Sequence, residues 1–527
     1  MAKERKALRA RRLFLAGFLA GGVAVIASFA IRLLFNGAYL PELASSALFS
    51  LVPGFLESKA VENLGPLAKE TAFVVASVLN AVILGLIPVS LQRLRRMQKR
   101  NLRGVTVFAG LAYGTMLALG FLFLSLTQVS TQPINLGLLA SSLLVPSVVF
   151  GVIQGRAYLL PRASAPLLFP MERAKGRYNR KRRLFVKSAA GAAVGAVILY
   201  YGIGLLFPKQ SPLLPSQEAS QVLAAGVTPN DQFYRVDINV IAPSVDSTAW
   251  RLNLHGLVNN PMTLDYNQLL ALPTVEEYAT LECVSNQVGG DLMSTALWKG
   301  VKLKDLLNTA GVGQGADYVV FTCFDGYDVG IPLDKAMGDG TMLAYVMNGE
   351  TLPKDHGYPV RAIVPGLYGM MNAKWITDID VVSGVHQGFW QRRGWTNTAA
   401  YNTSSWTITP GDSGIRDRFS LPFALTDVAG SPIAVVGVAF AGDRGIQKVE
   451  VSTDRGNSWQ LASLHDPLSK YTWVFWKFDW NPNSSGFYQI MVRATDGTGA
   501  VQVATMADPF PDGATGIEVV DVKVQST

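Results

Sequence analysis

The sequence predicts a multi-domain chain: an α-helical membrane bundle over residues 1–207, a tether at 208–225, a mixed α+β domain over 226–411 and an all-β sandwich over 412–527. Three observations predict it. Hydrophobic residues make up 49% of the 527 and charged residues only 16%, against a typical ~25% charged in soluble domains. Charge is unevenly spread: residues 1–210 hold 26 Lys+Arg against 6 Glu, while residues 211–527 hold 20 basic and 32 acidic groups, and the first Asp of the chain is Asp231. Finally, long apolar runs stop near residue 207 and short β-type runs begin near Val227. The net charge of +8 therefore gives no argument for a nucleic-acid partner, because the basic half is also the apolar half.

In the first half, apolar runs occupy Leu13–Ile31, Thr71–Leu91, Gly104–Thr127, Leu136–Gly155 and Leu184–Phe207, none with an internal acid. Each reaches the ~20 residues that a helix needs to cross ~30 Å of hydrocarbon. Tyr39–Leu56 is shorter and carries Pro41 and Pro53, and reads as interfacial or re-entrant. Basic clusters precede the first run (Lys3 to Arg12), separate the second from the third (Arg93 to Arg103) and separate the fourth from the fifth (Arg156 to Arg183). Five crossings put all three clusters on the cytoplasmic face and residues 208–527 outside. The expected location is thus the cell membrane, multi-pass, with the lipid bilayer as a partner and the second half extracytoplasmic. No His or Cys lies in residues 1–207, which excludes a bis-imidazole haem between those helices.

Lys181-Arg182-Arg183-Leu184-Phe185-Val186-Lys187 opens the fifth run and resembles a twin-arginine export signal, although it is internal. An ordinary positive flank of a span is the alternative. Folded export would suit a protein that receives its cofactor in the cytoplasm.

Beyond the tether, β-type runs fall at Trp250–Leu257, Tyr318–Phe324, Val360–Val364 and Ile376–Val382, with short amphipathic helices expected at Asp265–Ala271 and Leu303–Ala310. After Asp412–Phe419 the candidate strands are Ile433–Phe440, Ile446–Ser452, Trp473–Trp480, Gly486–Ala494 and Gly516–Val524, a spacing that suits an immunoglobulin-like sandwich. Thr453-Asp454-Arg455-Gly456 supplies a hairpin turn.

Two cysteines do not make a disulfide framework. Cys283 and Cys323 each close a predicted strand, where a thiolate is a candidate metal ligand or nucleophile. A single Cys283–Cys323 bridge is the structural alternative. A Cys-dependent hydrolase would draw on His356, and no local signature supports it; clustered Cys/His for zinc is missing.

Four separated blocks, in order, then carry a resemblance. They are Thr228-Pro229-Asn230-Asp231-Gln232-Phe233-Tyr234-Arg235; Leu281-Glu282-Cys283-Val284-Ser285-Asn286 with Trp298-Lys299-Gly300-Val301; His356-Gly357-Tyr358-Pro359-Val360-Arg361-Ala362-Ile363-Val364-Pro365-Gly366 with Lys374-Trp375; and Gly442–Leu461. Over about residues 226–525 the chain resembles the sulfite oxidase family, which implies a sulfite-oxidase-type molybdopterin domain followed by an immunoglobulin-like domain that often mediates a homodimer.

The resemblance implies a molybdenum-molybdopterin cofactor, one pterin per metal, with Cys283 as the protein's metal ligand. It implies that Arg361, Lys374, Asn372 and the backbone at Ala373 cradle the pterin phosphate, which a guanidinium fork and a point charge would suit. Asp231, Tyr234, Arg235 and His356 match cofactor-contacting positions, and Cys323 aligns near a position where relatives often carry a cofactor-facing hydroxyl, with a buried, packed core thiol as the other reading. Arg235 also matches a substrate-side arginine, and His386 stands where the family's active-site tyrosine would fall, so the catalytic set reads Cys283, Arg235 and His386.

One departure bears on substrate. Ser285-Asn286-Gln287-Val288-Gly289-Gly290 has no charge where sulfite oxidases place basic residues, and a dianion entering a low-dielectric pocket needs compensation. The expected activity is a two-electron oxygen-atom transfer on a small sulfur- or nitrogen-oxo substrate, with sulfite dehydrogenase proper as the alternative. The chain has no Cys-x-x-Cys-His, four-Cys cluster or dinucleotide fingerprint, so electrons are expected to pass to a separate carrier, a haem protein or a quinone-linked partner. A non-catalytic module on the same fold is the other class; retention of Cys283, Arg361 and Lys374 argues against it.

Overall fold

The computed structural model describes residues 18–29, 144–153, 226–239, 242–410, 427–428 and 432–525, with Phe14 and Ser142 singly. Residues 18–29 and 144–153 are helical. Among the described residues no helix is long and apolar enough to cross a membrane. The expected five-crossing bundle is corrected accordingly: the described chain is mostly β with few helices. The runs at Thr71–Leu91, Gly104–Thr127 and Leu184–Phe207, the Tyr39–Leu56 stretch, the Arg182-Arg183 motif and the tether at 208–225 lie outside the described residues.

The strands are β1 Arg251–Gly256, β2 Met262–Asp265, β3 Val275–Glu282, β4 Met293–Lys302, β5 Tyr318–Cys323, β6 Asp328–Pro332, β7 Met342–Met347, β8 Glu350–Thr351, β9 Arg361–Ile363 and β10 Ile376–Val382. One sheet runs β2-β1-β10-β5-β6, with β1 parallel to β10 and the other pairs antiparallel. A second runs β3-β4-β7-β8, with β9 also on β7. Three short helices decorate them: α1 Tyr266–Leu270, α2 Leu303–Ala310 and α3 Leu333–Ala336. Asp265 and Gln268 form a capping box at the start of α1. In α2, Leu303, Leu306, Leu307 and Ala310 are buried, the spacing of one helical face, and Gly311 at φ 68° ends it. The expected α+β balance is thus shifted toward β, because β3, β4, β6 and β7 supply strands where the sequence shows no clean alternation.

Nine further strands follow: β11 Ser404–Thr409, β12 Asp427–Val428, β13 Ile433–Phe440, β14 Ile446–Ser452, β15 Gln460–Leu461, β16 Ser463–Leu464, β17 Val474–Trp480, β18 Gly486–Asp496 and β19 Val519–Gln525. They make two sheets, β11-β13-β17-β16 and β12-β19-β18-β14-β15. Val435, Trp476, Val449, Ile490, Val492 and Val522 from both sheets share one core, the arrangement of a two-sheet sandwich.

The two halves are joined through core and backbone. Phe321, Tyr345 and Trp375 share a hydrophobic cluster with Trp406, Val438, Phe440, Trp473 and Phe475. Thr280 of β3 donates its N–H to the Tyr471 carbonyl at 3.0 Å, and its hydroxyl accepts the Trp473 N–H at 2.9 Å. Ser469 Oγ donates to the Tyr278 carbonyl at 2.6 Å. These contacts hold β3, the strand that delivers the key thiol, against the sandwich.

Candidate active site

Cys283 follows the last residue of β3, at the tip of a hairpin whose strands close in register at Glu282 and Met293. The Cys283 N–H donates to the Leu292 carbonyl at 2.9 Å, and its own carbonyl accepts from Asn286 N–H at 3.0 Å. Asn286 braces the rest of the loop: Nδ2 donates to Glu282 Oε1 at 3.0 Å and Oδ1 accepts from Leu292 N–H at 2.9 Å. The thiol is held by backbone geometry, 3.0 Å from Ser285 Oγ and 6% exposed. Neither cysteine is in a disulfide, which removes the Cys283–Cys323 bridge.

Beside Cys283 opens a cleft enclosing about 980 Å³ of empty space, the solvent at its open mouth included. Tyr234, His356, Arg361, Asn372, Ala373 and Lys374 line it with Cys283. Seven sequence-predicted site residues, separated by up to 140 positions, therefore line one cavity.

Arg361 has the most telling environment. It starts β9, lies buried at 5% exposure, and stacks 4.9 Å from the ring centre of Trp298. Its Nη1 donates to the His356 carbonyl at 3.1 Å and its Nη2 to the Asn372 carbonyl at 3.4 Å, while Nε is buried without a partner. Burial pulls the guanidinium down to about 10, and among the described residues no carboxylate pairs with it. A guanidinium does not deprotonate in a protein, and a buried cation without a counter-ion is costly. An anion bound in the cavity resolves this.

His356 is buried on the same wall, with Nε2 2.8 Å from the Asn230 carbonyl. A carbonyl only accepts, so Nε2 carries the hydrogen and Nδ1 is the free acceptor. Burial, then the Arg361 and Lys374 charges, holds the imidazole down at about 4 despite the Asn230 bond, so it is neutral. Lys374 Nζ reaches Asp237 Oδ2 at 2.9 Å and the Asp355 carbonyl at 3.3 Å; burial lowers its pKa against the pull of Asp237. The Asn372 side chain is spent on the fold: Oδ1 accepts from Val364 N–H at 2.7 Å, and Nδ2 donates to the carbonyls of Leu367 and Tyr368.

Four predicted residues sit elsewhere. Arg235 is one-third exposed, with Nε on Asp237 Oδ2 at 3.0 Å and Nη1 3.5 Å from Asp355, beside the wall and not on it. Asp231 is exposed in the turn before Phe233. Cys323 is packed in the large core at 2% exposure, and burial pushes its thiol well up. His386 is captured by Asp328, with Nε2 to Oδ2 at 2.8 Å, and Arg392 forks onto the same carboxylate.

The cavity also holds residues that sequence reasoning missed. Asp237 bridges Arg235 and Lys374. Asp325 is buried, accepts from Asn239 Nδ2 at 2.6 Å and from Tyr327 N–H at 3.1 Å, and is pushed up by that burial to about 6. Tyr327, Met370, Trp390 and Trp395 complete the wall. In sequence Phe324-Asp325-Gly326 reads as a turn, and only the signal of an acid closing a strand pair could have marked it.

An unbridged thiol at a braced hairpin tip and a buried cation that line one cavity fit a metal-pterin oxidoreductase. Residues 239–390 match the oxidoreductase molybdopterin binding domain family, and residues 422–508 match the Mo-co oxidoreductase dimerisation domain family. Sulfite oxidase of Arabidopsis thaliana is 28% identical over 342 residues, covering 56% of this chain and 86% of that protein. Mitochondrial sulfite oxidase of Rattus norvegicus is 30% identical over 318 residues, covering 53% of this chain and 58% of that protein. The uncharacterized oxidoreductase YuiH of Bacillus subtilis is 36% identical over 150 residues, covering 28% of this chain and 74% of that protein. The chain belongs to the sulfite oxidase family of molybdopterin-dependent oxidoreductases, and its cofactor is molybdenum-molybdopterin.

Proposed function

We propose that the protein carries out a two-electron oxygen-atom transfer on a small sulfur- or nitrogen-oxo substrate and exchanges its electrons with a separate haem or quinone-linked carrier. The observation that carries the reading is Arg361, a buried guanidinium with no carboxylate partner among the described residues, lining one cavity with the unbridged thiol of Cys283. When bound, the cofactor supplies a two-electron metal centre that exchanges an oxo group.

The chain's own residues do the placing. Cys283 would ligate the metal as a thiolate from a loop that Asn286 keeps rigid. Arg361 would hold the pterin's anionic group at a fixed point, with neutral His356 beside it offering Nδ1 as acceptor. Lys374, neutralised by Asp237, adds donors without adding net charge. Asn372 acts as a positioning residue, because both ends of its amide are already bonded to backbone.

The dimerisation-domain match supports a homodimer. The basic and apolar make-up of residues 1–210 supports a place at the cell membrane with the catalytic half extracytoplasmic; protease added to intact cells should then digest residues 226–527, and their full protection would refute that placement. The reading as a whole is tested by metal analysis and a dye-linked screen of sulfite, sulfoxides and N-oxides. Stoichiometric molybdenum that is lost in Cys283→Ser together with turnover supports it. Molybdenum content unchanged in Cys283→Ser would remove Cys283 as ligand.

A further inference from the structure

We propose that the cavity takes an uncharged oxo compound bearing an apolar or aromatic arm, such as an aryl sulfoxide, in preference to a small inorganic oxyanion. The inference rests on the oxygen-atom-transfer reading above and names its substrate class.

Charge is the first argument. Two basic side chains line the cavity among the described residues, Arg361 and Lys374. Lys374 is engaged by Asp237 at 2.9 Å, and Arg361 is bonded to the carbonyls of His356 and Asn372, where the cofactor's anion would meet it. His356 brings no charge, and Asp237 and Asp325 bring negative charge to the same wall. Next to Cys283 stand Val284 and Ser285. Arg235, beside the wall, is held by Asp237 and Asp355. Among the described residues the cavity lining carries no further cation to compensate a dianion once the cofactor has taken its share, and an uncompensated buried charge is costly.

The second argument is the apolar part of the lining. Val284, Tyr327, Met370, Trp390 and Trp395 line it together. Tyr327 donates its hydroxyl to the Met370 carbonyl at 2.6 Å, so the phenol meets the cavity as a ring and not as a donor. The surface is propped from behind. The Tyr327 ring lies 5.8 Å from Phe389, Phe389 meets Trp390 edge-on at 4.9 Å, and Trp395 meets Phe510 edge-on at 5.2 Å. Two indoles, a phenol ring and a thioether recognise an apolar arm by burial and dispersion. Phe510 comes from beyond β18, so the sandwich half helps shape the pocket.

The step balances as follows. The S–O bond of the sulfoxide breaks, sulfur gains two electrons to become a thioether, and oxygen leaves as water after taking two protons from solvent. The electrons come from the haem or quinol carrier, replaced in the assay by a reduced viologen dye.

The experiment uses the full-length, molybdenum-loaded protein with dimethyl sulfoxide, methyl phenyl sulfoxide and, with ferricyanide as acceptor, sulfite. The expected result is a kcat/KM for methyl phenyl sulfoxide on the order of 10-fold or more above that for dimethyl sulfoxide, carried mainly by KM. Trp390→Ala should collapse that ratio toward one, and Trp390→Phe should restore most of it. Equal kcat/KM for the two sulfoxides, or a higher kcat/KM for sulfite than for either, overturns this proposal while leaving oxygen-atom transfer intact. No turnover of any of the three by loaded protein sinks both readings.

Discussion

Arg361 and Trp298 form a buried cation–aromatic pair, with the guanidinium carbon 4.9 Å from the indole centre. The pair joins β9 to β4 across β7. The aromatic face offsets part of the cost of burying the charge, while Nε stays unpaired. The residue is thus a liability in the empty protein and an asset in the loaded one. Arg361→Met should leave cofactor-free protein as stable as wild type, or more stable by about 1 kcal/mol, while molybdenum-cofactor occupancy falls sharply. Urea denaturation of both forms, beside metal analysis, checks it; a large loss of apo stability would show that Arg361 is structural.

Asp237 ties two cations together. Its Oδ2 contacts Arg235 Nε at 3.0 Å and Lys374 Nζ at 2.9 Å, and its Oδ1 accepts from Asn239 N–H at 2.8 Å. The Lys374 side chain is 12% exposed and would be left without its counter-ion. Asp237→Asn should cost about 3 kcal/mol, read as a lower denaturation midpoint with an unchanged slope. A double variant with Lys374→Met should recover most of that loss.

Gly369 is small for a steric reason. A Cβ there would lie 2.4 Å from the Tyr234 hydroxyl and 3.2 Å from the Glu282 carbonyl. Tyr234 is a rigid ring stacked on Phe233 at 5.5 Å, so it has little room to retreat. Gly369→Ala should destabilise the protein by about 1–3 kcal/mol, and the displaced ring should lower cofactor content. Thermal melts of apo and loaded protein would separate the two effects.

The chain made some of this legible and hid the rest for identifiable reasons. Ile376–Val382, Ile433–Phe440, Ile446–Ser452 and Leu303–Ala310 are observed as read, because each has β-branched density or a clean helical face. β3 was not legible: its first half, Val275-Glu276-Glu277-Tyr278, is half-exposed and acidic, and only the last four residues are buried. Cys283, Arg361 and Lys374 were legible because ordered motifs surround them. Asp237 and Asp325 were not, since their place on the wall depends on Lys374 and Asn239, 137 and 86 positions away. His386, singled out because the resemblance puts the family's active-site tyrosine there, is bonded instead by Asp328, 58 positions away, a partner that no local motif announces. The helical bundle was the largest miss: apolar runs state that a segment can cross a bilayer, and among the described residues no helix is long and apolar enough to do so.

Two buried groups on the cavity wall pull the pH dependence of stability in opposite directions. His356 is held at about 4 against an ordinary 6.5, chiefly by burial. The unfolded chain therefore binds the extra proton between those values, and this contribution is full above pH 6.5 and lost as pH falls toward 4. Asp325 is pushed up to about 6 from 3.8, again chiefly by burial. Here the folded state binds the extra proton, so its contribution is full below pH 4 and lost as pH rises through 6. Each is worth on the order of 3 kcal/mol at its limit, so the two nearly cancel in apo wild type between pH 4 and 6.5. His356→Gln should uncover the Asp325 slope, making stability, relative to wild type, fall as pH rises across that window. Asp325→Asn should uncover the His356 slope, with relative stability rising instead. Denaturant midpoints measured at half-unit steps from pH 4 to 7 would show the two variants diverging in opposite senses from wild type; parallel curves would mean that neither group is buried in the state deduced here.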